Sequence, residues 1–128
     1  MQTEETIMKF CWVTINVRDM SESIKFYEEI VELPVMNQIS AGPDTQITFL
    51  GAGDTQVELI YHTGKQEVTF GRDISIGFEV PSLDEMIALL KEKGIDIKAG
   101  PIQPNPLMKF IFIEDPNGVR IQLVEHKK

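Results

Sequence analysis

The sequence predicts an α+β fold in which one βαβββ unit is used twice, at about residues 9–64 and 72–126. Three observations carry this. Val57-Glu58-Leu59-Ile60-Tyr61-His62 and Ile121-Gln122-Leu123-Val124-Glu125-His126 share an apolar–polar–apolar–apolar rhythm, and both end in histidine. Upstream of each, period-2 alternation gives way to helical spacing at a capping signature. Between the late strands of each half stands turn chemistry, GAGDT in one and EDPNG in the other.

Taken in order, Trp12 to Val17 alternates polar and apolar, which marks a half-buried strand. Spacing then changes to Ile24, Tyr27, Ile30 and Val31, one stripe of an amphipathic helix whose start is signalled by Asp19 with Glu22. The second half repeats this from Ser75 to Val80, with Met86, Leu89 and Leu90 on the helix, Ser82 and Glu85 at its start and Gly94 at its end. Trp12 and Ser75, Val17 and Val80, and Asp19 and Ser82 each stand 63 residues apart. Glu58 and Gln122, and His62 and His126, stand 64 apart after a one-residue insertion. The stretch TGKQEVTFGR links the halves. AGPIQPNPLMKF is too proline-rich to be strand throughout and reads as a connector or a lid beside a cleft.

Strand parity sorts the side chains into faces. Val13, Ile15 and Val17 pack under the first helix, with Trp12, Thr14 and Asn16 opposite. Ile74, Ile76, Phe78 and Val80 face the second helix, with Ser75, Gly77 and Glu79 opposite. In the late strands Val57, Leu59 and Tyr61 form one face, with Gln56, Glu58, Ile60 and His62 on the other, and Ile121 and Leu123 likewise oppose Arg120, Gln122, Val124 and His126. A face mixing Trp, Glu and Gln with apolar residues is a candidate pocket lining.

The chain has 128 residues, one domain by length, with 42% apolar and 25% charged residues. Its formal charge of −8 repels phosphate backbones, so nucleic acid is not an expected partner. No apolar run approaches the roughly 20 residues that span a bilayer. The start, MQTEETIMKF, lacks a secretory leader's basic and apolar regions, and residues 1 to about 7 read as a loose tail. A single cysteine, Cys11, fits a reducing cytoplasm and reads as a buried structural thiol. No Ser-His-Asp or Cys-His constellation is supported, and GAGDT lacks the spacing of a phosphate loop.

NVRDMSESIKFYEEIVELPV and FIEDPNGVRIQLVE resemble the first strand and helix, and the closing hairpin, of the glyoxalase/bleomycin-resistance/dioxygenase group, the vicinal oxygen chelate superfamily. The resemblance runs from Phe10 to Glu125. It implies two curved βαβββ sheets placed edge to edge around a cleft, and commonly a homodimer. The group's metal enzymes carry one ligand on the first and last strand of each module: His or Gln, Glu, His and Glu. Together these hold a divalent metal that chelates vicinal oxygens of the substrate.

Carried onto this chain, those positions fall on Trp12, Glu58, Ser75 and Gln122. Only Glu58 and Gln122 could serve as ligands. An indole N–H donates and cannot coordinate, a Ser hydroxyl is feeble, and a catalytic divalent site wants about three strong protein donors. His62, four residues beyond Glu58, is roughly 13 Å away along a strand and cannot join that shell. No metal or other cofactor is therefore expected. Glu58 reads as a candidate general base, or as the anion that holds a cationic or hydroxyl-bearing ligand. Trp12 reads as a stacking platform. Thr14, Asn16, Ser75, Glu79, Arg120 and Gln122 complete the ligand-binding set, with Glu79 and Arg120 either paired across the cleft or solvated at its rim. His62 and His126 read as edge histidines. The expected function is a cytoplasmic small-molecule-binding protein of this group. The alternative is a lyase or isomerase of the lactoylglutathione lyase type, or a dioxygenase relative, using Glu58 with a non-standard metal site.

Overall fold

A computed structural model describes residues 8–64, 67–71 and 73–127. The amino-terminal tail expected at residues 1–7, and residues 65, 66 and 72 of the linking stretch, lie outside that description. The elements are β1 (Trp12–Asn16), α1 (Met20–Glu29), β2 (Val35–Ser40), β3 (Thr45–Leu50), β4 (Gln56–His62), β5 (Ser75–Glu79), α2 (Leu83–Lys93), β6 (Ala99–Asn105), β7 (Met108–Glu114) and β8 (Arg120–His126). They form two four-stranded sheets, ordered β1-β4-β3-β2 and β5-β8-β7-β6. In each sheet the first pair is parallel and the others antiparallel. The chain is thus βαβββ twice.

The 63- and 64-residue offsets recur as strand register. Trp12 lies opposite Gln56 and Thr14 opposite Glu58; Ser75 lies opposite Arg120 and Gly77 opposite Gln122. Trp12 and Ser75 therefore hold equivalent places, as do Glu58 and Gln122.

Both helices start where the capping signatures stand. Asp19 accepts from the Glu22 N–H at 2.9 Å, and Ser82 from the Glu85 N–H at 3.2 Å. Gly94 closes α2 at φ +72°, its N–H returning to the Leu90 and Lys91 carbonyls. The first helix has no glycine stop; Glu32 takes the left-handed position at φ +60°, and the Leu33 N–H reaches back to the Tyr27 carbonyl. Helix α1 lies on β3 and β4, and α2 on β8.

The stripe α1 buries is Ser23, Phe26, Tyr27 and Ile30. Ile24 is only partly covered, so the apolar face is turned from the expected one to admit a serine that has a polar partner. On the helix-facing side of the sheets, Ile15, Val17, Leu50, Val57, Leu59, Ile111, Ile113, Ile121 and Leu123 form the core, joined from α2 by Leu83, Met86 and Leu90. Each fully buried Leu or Ile contributes about 1.5–3 kcal/mol. Two expectations of burial fail. Ile74 precedes β5 and is 69% exposed, because the strand begins one residue later. Cys11 also precedes its strand and is exposed. Much of the proline-rich stretch is strand after all, as β6. It is an outer strand that pairs with β7 only at Ala99, Ile102 and Asn105, so Pro101 and Pro104 fall where the ladder is interrupted.

The two halves meet through a buried polar network that the strand pattern did not announce. The Tyr27 hydroxyl donates to Asp115 Oδ2 at 2.8 Å. Asp115 Oδ1 accepts from the backbone N–H groups of Asn117 and Val119, each at 2.8 Å. Asn117 Nδ2 donates to the Ser23 hydroxyl at 3.2 Å, its Oδ1 accepts the Arg18 N–H at 3.1 Å, and Arg18 Nη2 reaches the Pro116 carbonyl at 2.7 Å. The turn of the second half is thereby locked onto the helix of the first. Burial, and then the charge and hydrogen bond of Asp115, push the Tyr27 phenol far above its ordinary range.

Candidate functional site

The face of each sheet turned away from its helix carries cross-strand rows that match between the halves. In the first sheet, Thr14, Glu58, Phe49 and Asn37 form a polar and aromatic row, beside Asn16, Ile60, Ile47 and Ile39. In the second, Gly77, Gln122 and Phe112 answer the first row, and Glu79, Val124, Phe110 and Ile102 answer the next. Each face therefore sets one hydrogen-bonding row beside one largely apolar row.

Glu58 is the centre of the first face. It is only 8% exposed, flanked by Thr14 on β1 and Phe49 on β3. The Thr14 hydroxyl donates to Oε1 at 2.5 Å, which leaves Oε2 as an acceptor. Trp12, two residues along β1, is 44% exposed and crosses β4 to meet Phe49 edge-on, with ring centroids 5.3 Å apart and planes at 63°. Next to it, Gln56 donates to the Gly51 carbonyl at 3.0 Å. Asn16 lies one row on, opposite Ile60 and half-buried.

The second face is decorated differently. Gln122 is half-buried, and its Oε1 lies beside Gly77, 3.5 Å from where a Cβ on that residue would stand. The Arg120 guanidinium lies over the Phe112 ring, 4.1 Å from its centroid. Phe112 in turn meets Phe110 edge-on at 5.6 Å. Ser75 is exposed at the row of Arg120. Glu79 and Arg120 do not pair. They stand four residues apart along the sheet, roughly 13 Å, and Glu79 instead approaches His126 Nδ1 at 3.5 Å. His62 lies at the far end of β4, its Nδ1 3.1 Å from the Thr45 hydroxyl. A cavity of about 520 Å³ opens beside Arg120, lined also by Lys98, Glu114 and Asn117.

The structure thus brings Trp12, Thr14 and Glu58 into one constellation, and Arg120 and Gln122 into a second. Phe49, Phe110 and Phe112 belong to these faces but were not expected there. Their alternation in TQITFL and MKFIFIE is visible in the sequence, yet which parity shares a face with Glu58 and Gln122 depends on a register that only pairing supplies.

The family positions fit a metal poorly. Of Trp12, Glu58, Ser75 and Gln122 one is charged, and Thr14 already engages an oxygen of that one. No group of three His, Cys, Asp or Glu side chains converges among the described residues.

Comparison with known proteins agrees with the architecture. The model of the Glyoxalase/Bleomycin resistance protein/Dioxygenase superfamily matches residues 9–123. The lactoylglutathione lyase of Escherichia coli O157:H7 is 26% identical over 94% of this chain and 94% of its own length. A probable chloroplastic lactoylglutathione lyase of Arabidopsis thaliana is 30% identical over 88% of this chain, which spans about a third (34%) of that longer protein. Among solved structures, a trypanothione-dependent glyoxalase I of Leishmania major superposes with a TM-score of 0.79 at 26% identity, over 93% of this chain and 87% of the other. The chain belongs to the glyoxalase/bleomycin resistance protein/dioxygenase superfamily.

Proposed function

We propose that this chain is a small-molecule-binding protein of the glyoxalase/bleomycin-resistance type, with an incomplete set of metal ligands. The donor chemistry of four positions carries the reading: an indole, a carboxylate held by Thr14, a serine hydroxyl and a neutral amide stand where a metal enzyme of the family needs strong donors. What remains suits binding. Each face offers aromatic and aliphatic surface beside a few polar groups, the composition of a ligand pocket. The exposed, free Cys11 suits a reducing, cytoplasmic setting. We also propose a homodimer, supported by the family and by the exposure of Trp12, Ile39 and Ile102 on these faces.

The second reading is an enzyme of the lactoylglutathione lyase type with Glu58 as its base, favoured by the names of the relatives. Assaying the purified chain for formation or cleavage of S-lactoylglutathione, with and without added Zn²⁺ or Ni²⁺, separates the two. The binding reading expects no turnover in either condition. Turnover abolished by Glu58→Gln would establish the enzyme.

A further inference from the structure

We propose that the corner formed by Trp12, Phe49 and Glu58 recognises an organic cation, an ammonium or guanidinium group carried by the ligand. The proposal rests on reading this face as the ligand-binding wall, and it names the class of ligand.

Two observations point there. First, Glu58 is a carboxylate almost wholly removed from water, yet among the described residues no Lys, Arg or His forms an ion pair with it. Among the described residues its side-chain partner is the neutral hydroxyl of Thr14, and a buried charge left with so little compensation is costly. The other titratable group on this face, His62, is four residues along the strand and turned to Thr45.

Second, the protein contains its own comparison. Phe112 in the second half holds the place of Phe49 in the first: each lies opposite the equivalent residue, Gln122 or Glu58. Likewise Arg120 holds the place of Gln56. In the second half the guanidinium lies over the ring of Phe112. In the first half the equivalent side chain is neutral and turned away to the Gly51 carbonyl, while the facing row gains an indole and a carboxylate. The same aromatic position is therefore supplied with a cation from within the chain on one side. On the other it has two rings set at 63° beside an anion. Aromatic faces with a carboxylate are the standing arrangement for binding alkylated ammonium and guanidinium groups.

Choline and its neutral isostere 3,3-dimethylbutan-1-ol, titrated into the full chain, test this. Trp12 is the only tryptophan, so its emission reports on this corner, and calorimetry gives the affinity. We expect choline to bind at least about tenfold tighter than the alcohol, and Glu58→Gln to remove most of that ratio. Circular dichroism shows whether the variant is folded, and Phe49→Leu, which keeps the carboxylate, should weaken choline as well. Equal binding of choline and the alcohol, or a ratio that survives Glu58→Gln in folded protein, overturns the cation assignment. If choline fails while the neutral aromatic 2-naphthol still quenches Trp12, the cation assignment falls and the ligand-binding face stands. If neither perturbs Trp12, both fall.

Discussion

Replacing Tyr27 by Phe keeps the buried ring and removes one hydroxyl, the one that donates to Asp115 Oδ2 at 2.8 Å. Asp115 retains two backbone N–H donors and the Asn117 amide, so the change subtracts one charge-assisted hydrogen bond without emptying the site. Such a bond is worth about 1.5–3 kcal/mol, and that is the expected loss near neutral pH. The pH dependence adds a sharper test. The folded-state pKa of Tyr27 is raised, so its contribution is fully present below the unfolded-state value, about 10, and is lost as pH rises above it. There the unfolded chain releases a proton that the folded chain keeps, which costs the native protein about 1.4 kcal/mol per pH unit. The variant lacks this penalty, so its deficit should close within about two pH units above 10. Urea denaturation at a series of pH values, with the slope checked for constancy, measures both effects. Alkaline curves that run parallel, or a neutral-pH cost below about 0.5 kcal/mol, would refute the claim that this phenol is held protonated against Asp115.

Three further outcomes are expected. Thr14→Val should cost about 1–3 kcal/mol by leaving a buried Glu58 oxygen without its donor, and Thr14→Ser should recover most of it, as thermal unfolding will show. Gly100→Ala should destabilise by about 2–3 kcal/mol, since φ is +101° and a Cβ would lie 2.8 Å from the Phe110 carbonyl oxygen; an unchanged melting temperature would count against it. Light scattering at micromolar concentration should give twice the 14.5 kDa chain mass, and a monomer would remove the homodimer.

Much of this architecture was legible because it rests on short-range rules. Caps at Asp19 and Ser82, the stop at Gly94 and the parity of Val57, Leu59, Ile121 and Leu123 each depend on a few neighbouring residues. The duplication compounded them, since a register read in one half constrained the other. What stayed hidden depends on contacts across the chain. Ser23 reads as a polar residue for the solvent side of a helix until Asn117, 94 residues away, supplies its partner. Asp115 reads as turn chemistry, and its second role, holding Tyr27, becomes visible only when the two halves meet. Pro101 and Pro104 argue against a strand except at a sheet's edge, and the sequence does not say which strand is outermost. In the candidate site Trp12 and Glu58 were readable from parity, whereas Phe49 needed the pairing of β3 with β4 to be placed beside them.

The divalent-metal content of the purified, unmodified chain, measured by plasma mass spectrometry, tests the central claim most directly. With one charged donor among Trp12, Glu58, Ser75 and Gln122, and that donor already bonded to Thr14, Zn²⁺, Ni²⁺, Fe²⁺ and Mn²⁺ should each be well below stoichiometric and unchanged by Glu58→Ala. About one equivalent of metal per chain, lost in Glu58→Ala, would contradict the account and make the lyase reading the better one.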